Sequence, residues 1–151
     1  MKLSPSKRDQ AAKLVAAWKR IGMVMDKSEP VAAGICYVSK GKVLLIKRGM
    51  ATKDYPGHWS FPAGHIEAGE SPYVAACRES YEEIAHFPEN LREVSNSNGF
   101  VLFACRCDEF QPILNDESTG HIWASLDSLP VPLHPGVAEQ IGAIAMDSAQ
   151  N

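Results

Sequence analysis

The sequence predicts an α/β layered domain, on three observations. Apolar runs of strand length alternate along the chain with segments of helical periodicity. Two of the runs, Val31–Val38 and Val43–Arg48, flank the turn Ser-Lys-Gly-Lys and read as a β-hairpin with Gly41 in its turn. No internal repeat is found.

The elements follow in order. Ser4-Pro5 opens an amphipathic helix whose apolar stripe is Ala11, Leu14, Val15, Trp18 and Ile21, with Gly22 as its stop. This helix makes residues 1–27 an extension to a domain spanning 28–151. It is expected to pack on its own domain; swapping onto a partner subunit in a homodimer is the alternative. The hairpin comes next and ends at Arg48, where Lys47 and Arg48 point to opposite faces. Gly49–Gly57 is irregular. Trp59 to Glu70 is rich in Gly and Pro and reads as a short strand and a shaped loop leading to a helix N-terminus. Ser71 can cap that helix and Pro72 suits its first position. Its apolar stripe is Val74, Cys77, Tyr81 and Ile84, and Pro88 bounds it. Strands are then expected at Gly99–Cys107 and His121–Ser125. A Pro-rich connection, Leu126–Pro135, leads to a last helix at Gly136–Met146 with Val137, Ile141 and Ile144 as its apolar residues.

Composition narrows the function classes. A chain of 151 residues, 45% hydrophobic, suffices for one domain with a real core. The net charge of -3 leaves no basic footprint for a nucleic acid polymer. No apolar run approaches the roughly 20 residues that span a bilayer, so no membrane role is expected. The N-terminus lacks the apolar core of a signal peptide, and a cytoplasmic location is expected. Cys36, Cys77, Cys105 and Cys107 form no C-x-x-C pair and are expected to be reduced thiols. Cys105 and Cys107 share one strand face.

The second helix carries the chemistry. Glu79, Glu82 and Glu83 stand at i, i+3 and i+4 and share one helix face, away from the apolar stripe. Like charges so placed repel. The cluster is either a solvated face or a site whose repulsion a cation relieves. Hard divalent cations take oxygen ligands, often a few carboxylates together with substrate phosphates. The preceding loop favours the site: Gly64 permits close approach, a carbonyl near Gly64 can add a ligand, and Glu70 and Arg78 can pair across the loop–helix junction.

From Gly64 to His86 the chain resembles the Nudix hydrolases, whose signature is G-x5-E-x7-R-E-U-x-E-E-x-G-U, with U a bulky aliphatic residue. Gly64, Glu70, Arg78, Glu79, Glu82 and Glu83 match, and Phe61-Pro62-Ala63-Gly64 resembles the family's lead-in. Three positions depart. Ser80 and His86 replace U residues, and Ala85 stands where the pattern has Gly. The resemblance implies a Nudix-like α/β/α sandwich around a mixed β-sheet over about residues 28–146. It also implies Mg²⁺-dependent (or Mn²⁺-dependent) hydrolysis of a nucleoside diphosphate derivative. That derivative is a nucleoside triphosphate, a dinucleoside polyphosphate or a nucleotide sugar.

It further implies roles. Glu79 and Glu83, then Glu82, and the Gly64 backbone are the metal ligands. Arg78 and Glu70 brace them. The general base is a glutamate of the box such as Glu82, or one on a later loop. There Asn115-Asp116-Glu117 precedes a Trp-containing strand, and Glu117 is preferred to Asp116 as base or extra ligand, an ordinary exposed loop being the alternative. Arg48 is expected near substrate phosphates, its alternative being a surface Arg.

Base recognition is less defined. Tyr55, His58, Trp59, Phe61 and Phe103 are candidate stacking surfaces or core residues, with Trp59 carried forward alongside Arg48 as substrate-binding. The loops Gly49–Gly57 and Leu91–Asn98 are candidates for selectivity. A catalytically silent Nudix-like domain that binds a nucleotide and regulates another process is the second hypothesis. Retention of every box carboxylate favours the enzyme.

Overall fold

The structure, a computed structural model, describes residues 29–149. The helix expected between Ser4 and Gly22 lies outside the described residues. Seven strands form one mixed sheet: β1 Ala32–Ser39, β2 Lys42–Arg48, β3 Trp59–Ser60, β4 Ala63–His65, β5 Arg92–Ser97, β6 Phe100–Arg106 and β7 Ser118–Ser125. Two helices are described, α1 Pro72–Ile84 and α2 Pro135–Ala149.

The hairpin turns through Lys40 and Gly41, both at positive φ (49° and 79°), the backbone of a tight primed turn. Its strands then diverge. β1 meets β2 only at Val38 and Ser39, and beyond that the same edge of β1 pairs with β4, Ala32–Gly34 against His65–Ala63. β2 likewise pairs β3 at Ile46 and Lys47 and runs along β7 on its other edge. The segment 59–65 is thus threaded into the gap between β1 and β2, which sets the loop before α1 against the middle of the sheet. β1 runs parallel to β6, Ala32 opposite Phe100 through Val38 opposite Arg106, and the other pairings are antiparallel. A parallel pair needs a long crossover, and α1 lies within it.

Strand alternation makes two cores. Ala33, Ile35 and Tyr37 of β1, with Leu44, Ile46, Val101, Phe103 and Cys105, face Ala75, Ala76 and Ile84 of α1. Cys36, Val38, Val43, Leu45 and Leu102 face Val137 and Ile144 of α2. Each fully buried Leu or Ile contributes roughly 1.5–3 kcal/mol of transfer free energy, so both helices are held by their apolar faces. The result is the expected α/β/α sandwich. The four cysteines are free thiols.

Three expectations are corrected. Leu91–Asn98 is not a loop: β5 pairs along β6 through a hairpin turn at Asn98 and Gly99 (φ 54° and 78°). Its sequence, Arg-Glu-Val-Ser-Asn-Ser, lacks apolar alternation because it is a half-solvated edge. The strand expected at 121–125 begins earlier, at Ser118. In α1, Val74 and Tyr81 are 52% and 53% exposed, while Ala75, Ala76, Ser80, Glu83 and Ile84 are buried. The helix is rotated from its apparent apolar stripe because small side chains let it sit close to β1. That rotation turns Glu83 inward.

Candidate active site

α1 begins as its sequence directs. Ser71 Oγ accepts from the Val74 N–H at 3.1 Å, and Pro72 follows in the first turn. The helix then projects its acids toward β4 and the 66–70 loop. Arg78 organises them. Its Nε and one terminal nitrogen donate to the two Glu70 oxygens at 2.7 and 3.0 Å, a bidentate pair. The same terminal nitrogen donates to the His65 carbonyl at 2.9 Å. The other donates to Glu79 at 2.9 Å and Glu82 at 3.2 Å. Glu70 Oε1 also accepts from the Glu67 N–H at 2.9 Å, so the loop closes on itself. The bonds from Arg78 and from that N–H hold the Glu70 carboxyl below its ordinary pKa.

Glu83 is placed differently. It is 9% exposed and pairs with no basic side chain among the described residues. Its Oε1 accepts from the Ala63 N–H at 3.1 Å. Burial, the Glu79 charge and a hydrogen bond with Glu79 push its pKa up to about 9, and the Glu117 charge adds to this. Gly64 lets the Glu79 carboxylate lie against the backbone: a Cβ there would meet that carboxylate and displace it. Ala63 and Gly64 therefore form the floor against which Glu79 and Glu83 rest.

These groups open on a cavity of about 990 Å³ lined by Gly64, Glu67, Glu79, Glu82, Glu83, Arg48, Asn115 and Glu117, among others. Arg48 reaches it from the end of β2, with its Nε donating to the Asp54 carbonyl at 2.8 Å. The Glu117 backbone is held on one side by Gly49, whose N–H donates to the Glu117 carbonyl at 2.8 Å. The structure therefore brings Gly64, Glu79, Glu82, Glu83, Glu117 and Arg48 to one cavity, with Arg78 and Glu70 braced behind them.

An oxygen-only donor set around a buried carboxylate that has no basic partner among the described residues suits a hard divalent cation. Glu83, Glu79 and the Gly64 backbone are the groups that would hold it. No three acidic, His or Cys side chains form a ready-made ligand cluster among the described residues. Arg78 engages Glu79 and Glu82 through one oxygen of each.

A second cavity of about 450 Å³ adjoins the first, sharing Arg48, Ala63, Gly64 and His65. Tyr55, Phe61, Phe100 and His134 give it aromatic walls, and Ser97, Asn98 and Gln140 give it polar ones. His134 Nδ1 accepts from the Gly136 N–H at 2.9 Å, which leaves the proton on Nε2. Burial, then the Arg48 and His58 charges, keep the pKa of His134 below its ordinary value. Its ring is a neutral donor.

Of the stacking candidates, Tyr55 and Phe61 line this cavity. Trp59 does not line the described cavities; it packs on the α2-side core, with Lys47 Nζ 5.9 Å from its ring centre. Phe103 is buried against Tyr73. No sequence pattern marks His134, Phe100 or Asn115 as functional. The His-Pro-Gly run at 134–136 marks a capped helix start, the one signal that could have drawn attention to His134.

An α/β/α sandwich with an acidic helix facing a glycine-floored cavity defines the class of fold. The chain belongs to the NUDIX domain family, whose model matches residues 27–145. It is similar to the crystal structure of a MutT NUDIX hydrolase from Burkholderia pseudomallei, at 25% identity and a TM-score of 0.67, covering 78% of this chain and 99% of that one. An ADP-ribose pyrophosphatase from Streptococcus suis 89-1591 is similar at 26% identity and a TM-score of 0.64, covering 80% and 92%. An isopentenyl-diphosphate Delta-isomerase from Streptomyces avermitilis is 32% identical over 111 residues, 73% of this chain. The chain spans only part of the curated relatives it matches, 52% of this one. No helix of the described residues is long and apolar enough to cross a membrane.

Proposed function

We propose that this chain is a Mg²⁺-dependent (or Mn²⁺-dependent) pyrophosphohydrolase that cleaves the diphosphate linkage of a nucleoside diphosphate derivative. One observation carries this reading: Glu83, buried against Glu79 without a basic partner among the described residues, faces a cavity that also holds Arg48 and Glu117. A divalent cation bound there supplies charge neutralisation and an activated water. The chain's own groups do the rest. Arg48 binds phosphate oxygens. Arg78 and Glu70 hold Glu79 in place. Glu117 takes the proton from the attacking water, with Glu82 as the alternative within the box. The ring-lined cavity receives the planar base, since its walls are aromatic and His134 is a neutral donor. Likeness to solved structures named as a MutT hydrolase and an ADP-ribose pyrophosphatase supports a nucleotide-type substrate.

The test is a substrate panel. Nucleoside triphosphates, oxidised guanine nucleotides, dinucleoside polyphosphates, ADP-ribose and nucleotide sugars are supplied with Mg²⁺ or Mn²⁺, and phosphate or nucleoside monophosphate release is followed. Turnover of at least one is expected, abolished by chelator. Glu83→Gln is expected to lower it by orders of magnitude with the fold intact. Binding without turnover would instead indicate a silent regulatory domain.

A further inference from the structure

The loop that carries Glu117 is fastened to the end of α1 by two backbone N–H groups and one side chain. A helix leaves its last four carbonyls without partners of its own. In α1 these belong to Tyr81, Glu82, Glu83 and Ile84. Ala85 N–H donates to the first at 2.9 Å. The other three are met by one loop. Asn115 Nδ2 donates to the Glu82 carbonyl at 3.1 Å, Asn115 N–H to the Glu83 carbonyl at 3.2 Å, and Ile113 N–H to the Ile84 carbonyl at 3.1 Å. Asn115 Oδ1 points the other way and accepts from the Glu117 N–H at 3.0 Å. That bond closes an Asx turn. One amide therefore joins the backbone that carries Glu82 to the backbone that carries Glu117.

The chemistry restricts this position. The bridge needs a donor and an acceptor on two separate atoms of one short side chain, which an amide has; an ionised carboxylate lacks the donor, and a hydroxyl has both on a single atom. Flipping the amide would set its NH₂ against the Glu117 N–H and its oxygen against the Glu82 carbonyl, so the bonds fix its orientation. The loop is also pinned upstream. The Phe110 ring stacks on His86 with centroids 3.6 Å apart, and the Phe110 carbonyl accepts from Trp123 Nε1 at 3.1 Å. Between these pins and Gly49, Asn115 is the side chain that ties the loop acid directly to the acidic helix.

We propose that Asn115 is a positioning residue that sets the reach of the Glu117 carboxylate into the cavity against Glu82 and Glu83. Its kinetic consequence rests on the function proposed above; its structural consequence does not. Two measurements separate them. Amide hydrogen exchange on the metal-free protein without substrate reads the clamp itself. In Asn115→Ala the Glu117 amide loses protection while the Ala85 amide, bonded within the helix end, keeps it. Unchanged protection at Glu117 overturns the proposal whether or not any substrate is hydrolysed.

Kinetics with a turned-over substrate read the role. Asn115→Ala lowers kcat by about 10–100-fold, the usual loss for a residue that orients a reacting group, with KM within about twofold of wild type. In a Glu117→Gln background the same change costs less than about threefold, because residues acting through one another are not additive. Equal losses in the two backgrounds overturn the proposal. Asn115→Ser guards against a folding artefact: its hydroxyl still accepts from the Glu117 N–H but falls short of the Glu82 carbonyl. It loses activity like Asn115→Ala, and wild-type kcat in this variant overturns the bridge.

Discussion

The Ser80 hydroxyl donates to the His86 carbonyl at 2.6 Å, and this bond links the positions at which the chain departs from the Nudix pattern. Since the Ser80 proton is committed there, the Tyr37 hydroxyl is the donor in its bond to Ser80 Oγ. Ala85, one residue before His86, takes the left-handed conformation (φ 55°) that the pattern gives to Gly. The His86 ring stacks on Phe110 and meets the edge of Tyr37 at 5.3 Å. A hydroxyl, an Ala and a His thus form one coupled helix exit in place of two aliphatic residues and a Gly.

Two substitutions test this coupling. Ser80→Ala deprives the buried Tyr37 hydroxyl and the His86 carbonyl of a partner, which costs about 1–3 kcal/mol. Ala85→Gly relieves the left-handed penalty and stabilises the fold by about 1 kcal/mol. Urea denaturation midpoints read both. An unchanged Ser80→Ala, or an Ala85→Gly that melts earlier, contradicts the account.

The pH dependence of stability follows from two carboxyls of opposite sense. Glu83 is raised from 4.5 to about 9 in the folded chain. A group raised on folding contributes stability that is complete below its unfolded pKa and is lost as pH rises through the folded one. The metal-free protein therefore weakens progressively between those two values. Glu70 is lowered by Arg78, so its contribution is present above its unfolded pKa and is lost as pH falls. Melting temperatures in chelator are expected to decline on the alkaline side of about pH 5, with Mg²⁺ flattening the curve and Glu83→Gln removing the decline. Parallel curves for chelated wild type and Glu83→Gln would remove Glu83 as the cause.

Much of the fold was legible because it obeys local rules. Ser71-Pro72 marked the start of α1, Lys40-Gly41 the hairpin turn, and the apolar runs marked β1, β2 and β6. The spacing of Glu70 and Arg78 anticipated their pair. What the sequence hid was tertiary. The polar strand β5 exists because β6 offers it an edge. The face that α1 buries is chosen by the small Ala75, Ala76 and Ser80 rather than by Val74 and Tyr81. The Asn115 bridge joins residues 33 positions apart, beyond any local pattern. Trp59 resembled a stacking residue in sequence, yet β3 turns it onto the α2 side of the sheet.

Gly64 and Arg78 are matched to their surroundings in ways that near-neighbours cannot copy. Gly64→Ala places a methyl where the Glu79 carboxylate sits, and Arg78→Lys loses the fork that holds both Glu70 oxygens. Each is expected to lower turnover by about 10–100-fold. Isothermal titration with Mn²⁺ should show weakened binding in both. Wild-type affinity in Gly64→Ala would mean that Glu79 is not held against this floor when a cation binds.

The ring-lined cavity yields a prediction that separates binding from chemistry. His134 does two things: its Nδ1 caps the start of α2 through the Gly136 N–H, and its ring lines the cavity 4.6 Å from Tyr55, centroid to centroid. His134→Ala would remove both and confuse stability with substrate binding. His134→Asn keeps a side-chain acceptor at a helix N-terminus, where Asn is favoured, and removes only the ring. A base stacked on an aromatic side chain is worth roughly 1–3 kcal/mol, so His134→Asn is expected to raise KM by about tenfold while kcat and the melting temperature hold. Steady-state kinetics on the best substrate of the panel measure this. A loss confined to kcat would place the base elsewhere, because a wall that only binds substrate and transition state alike cannot slow the step between them.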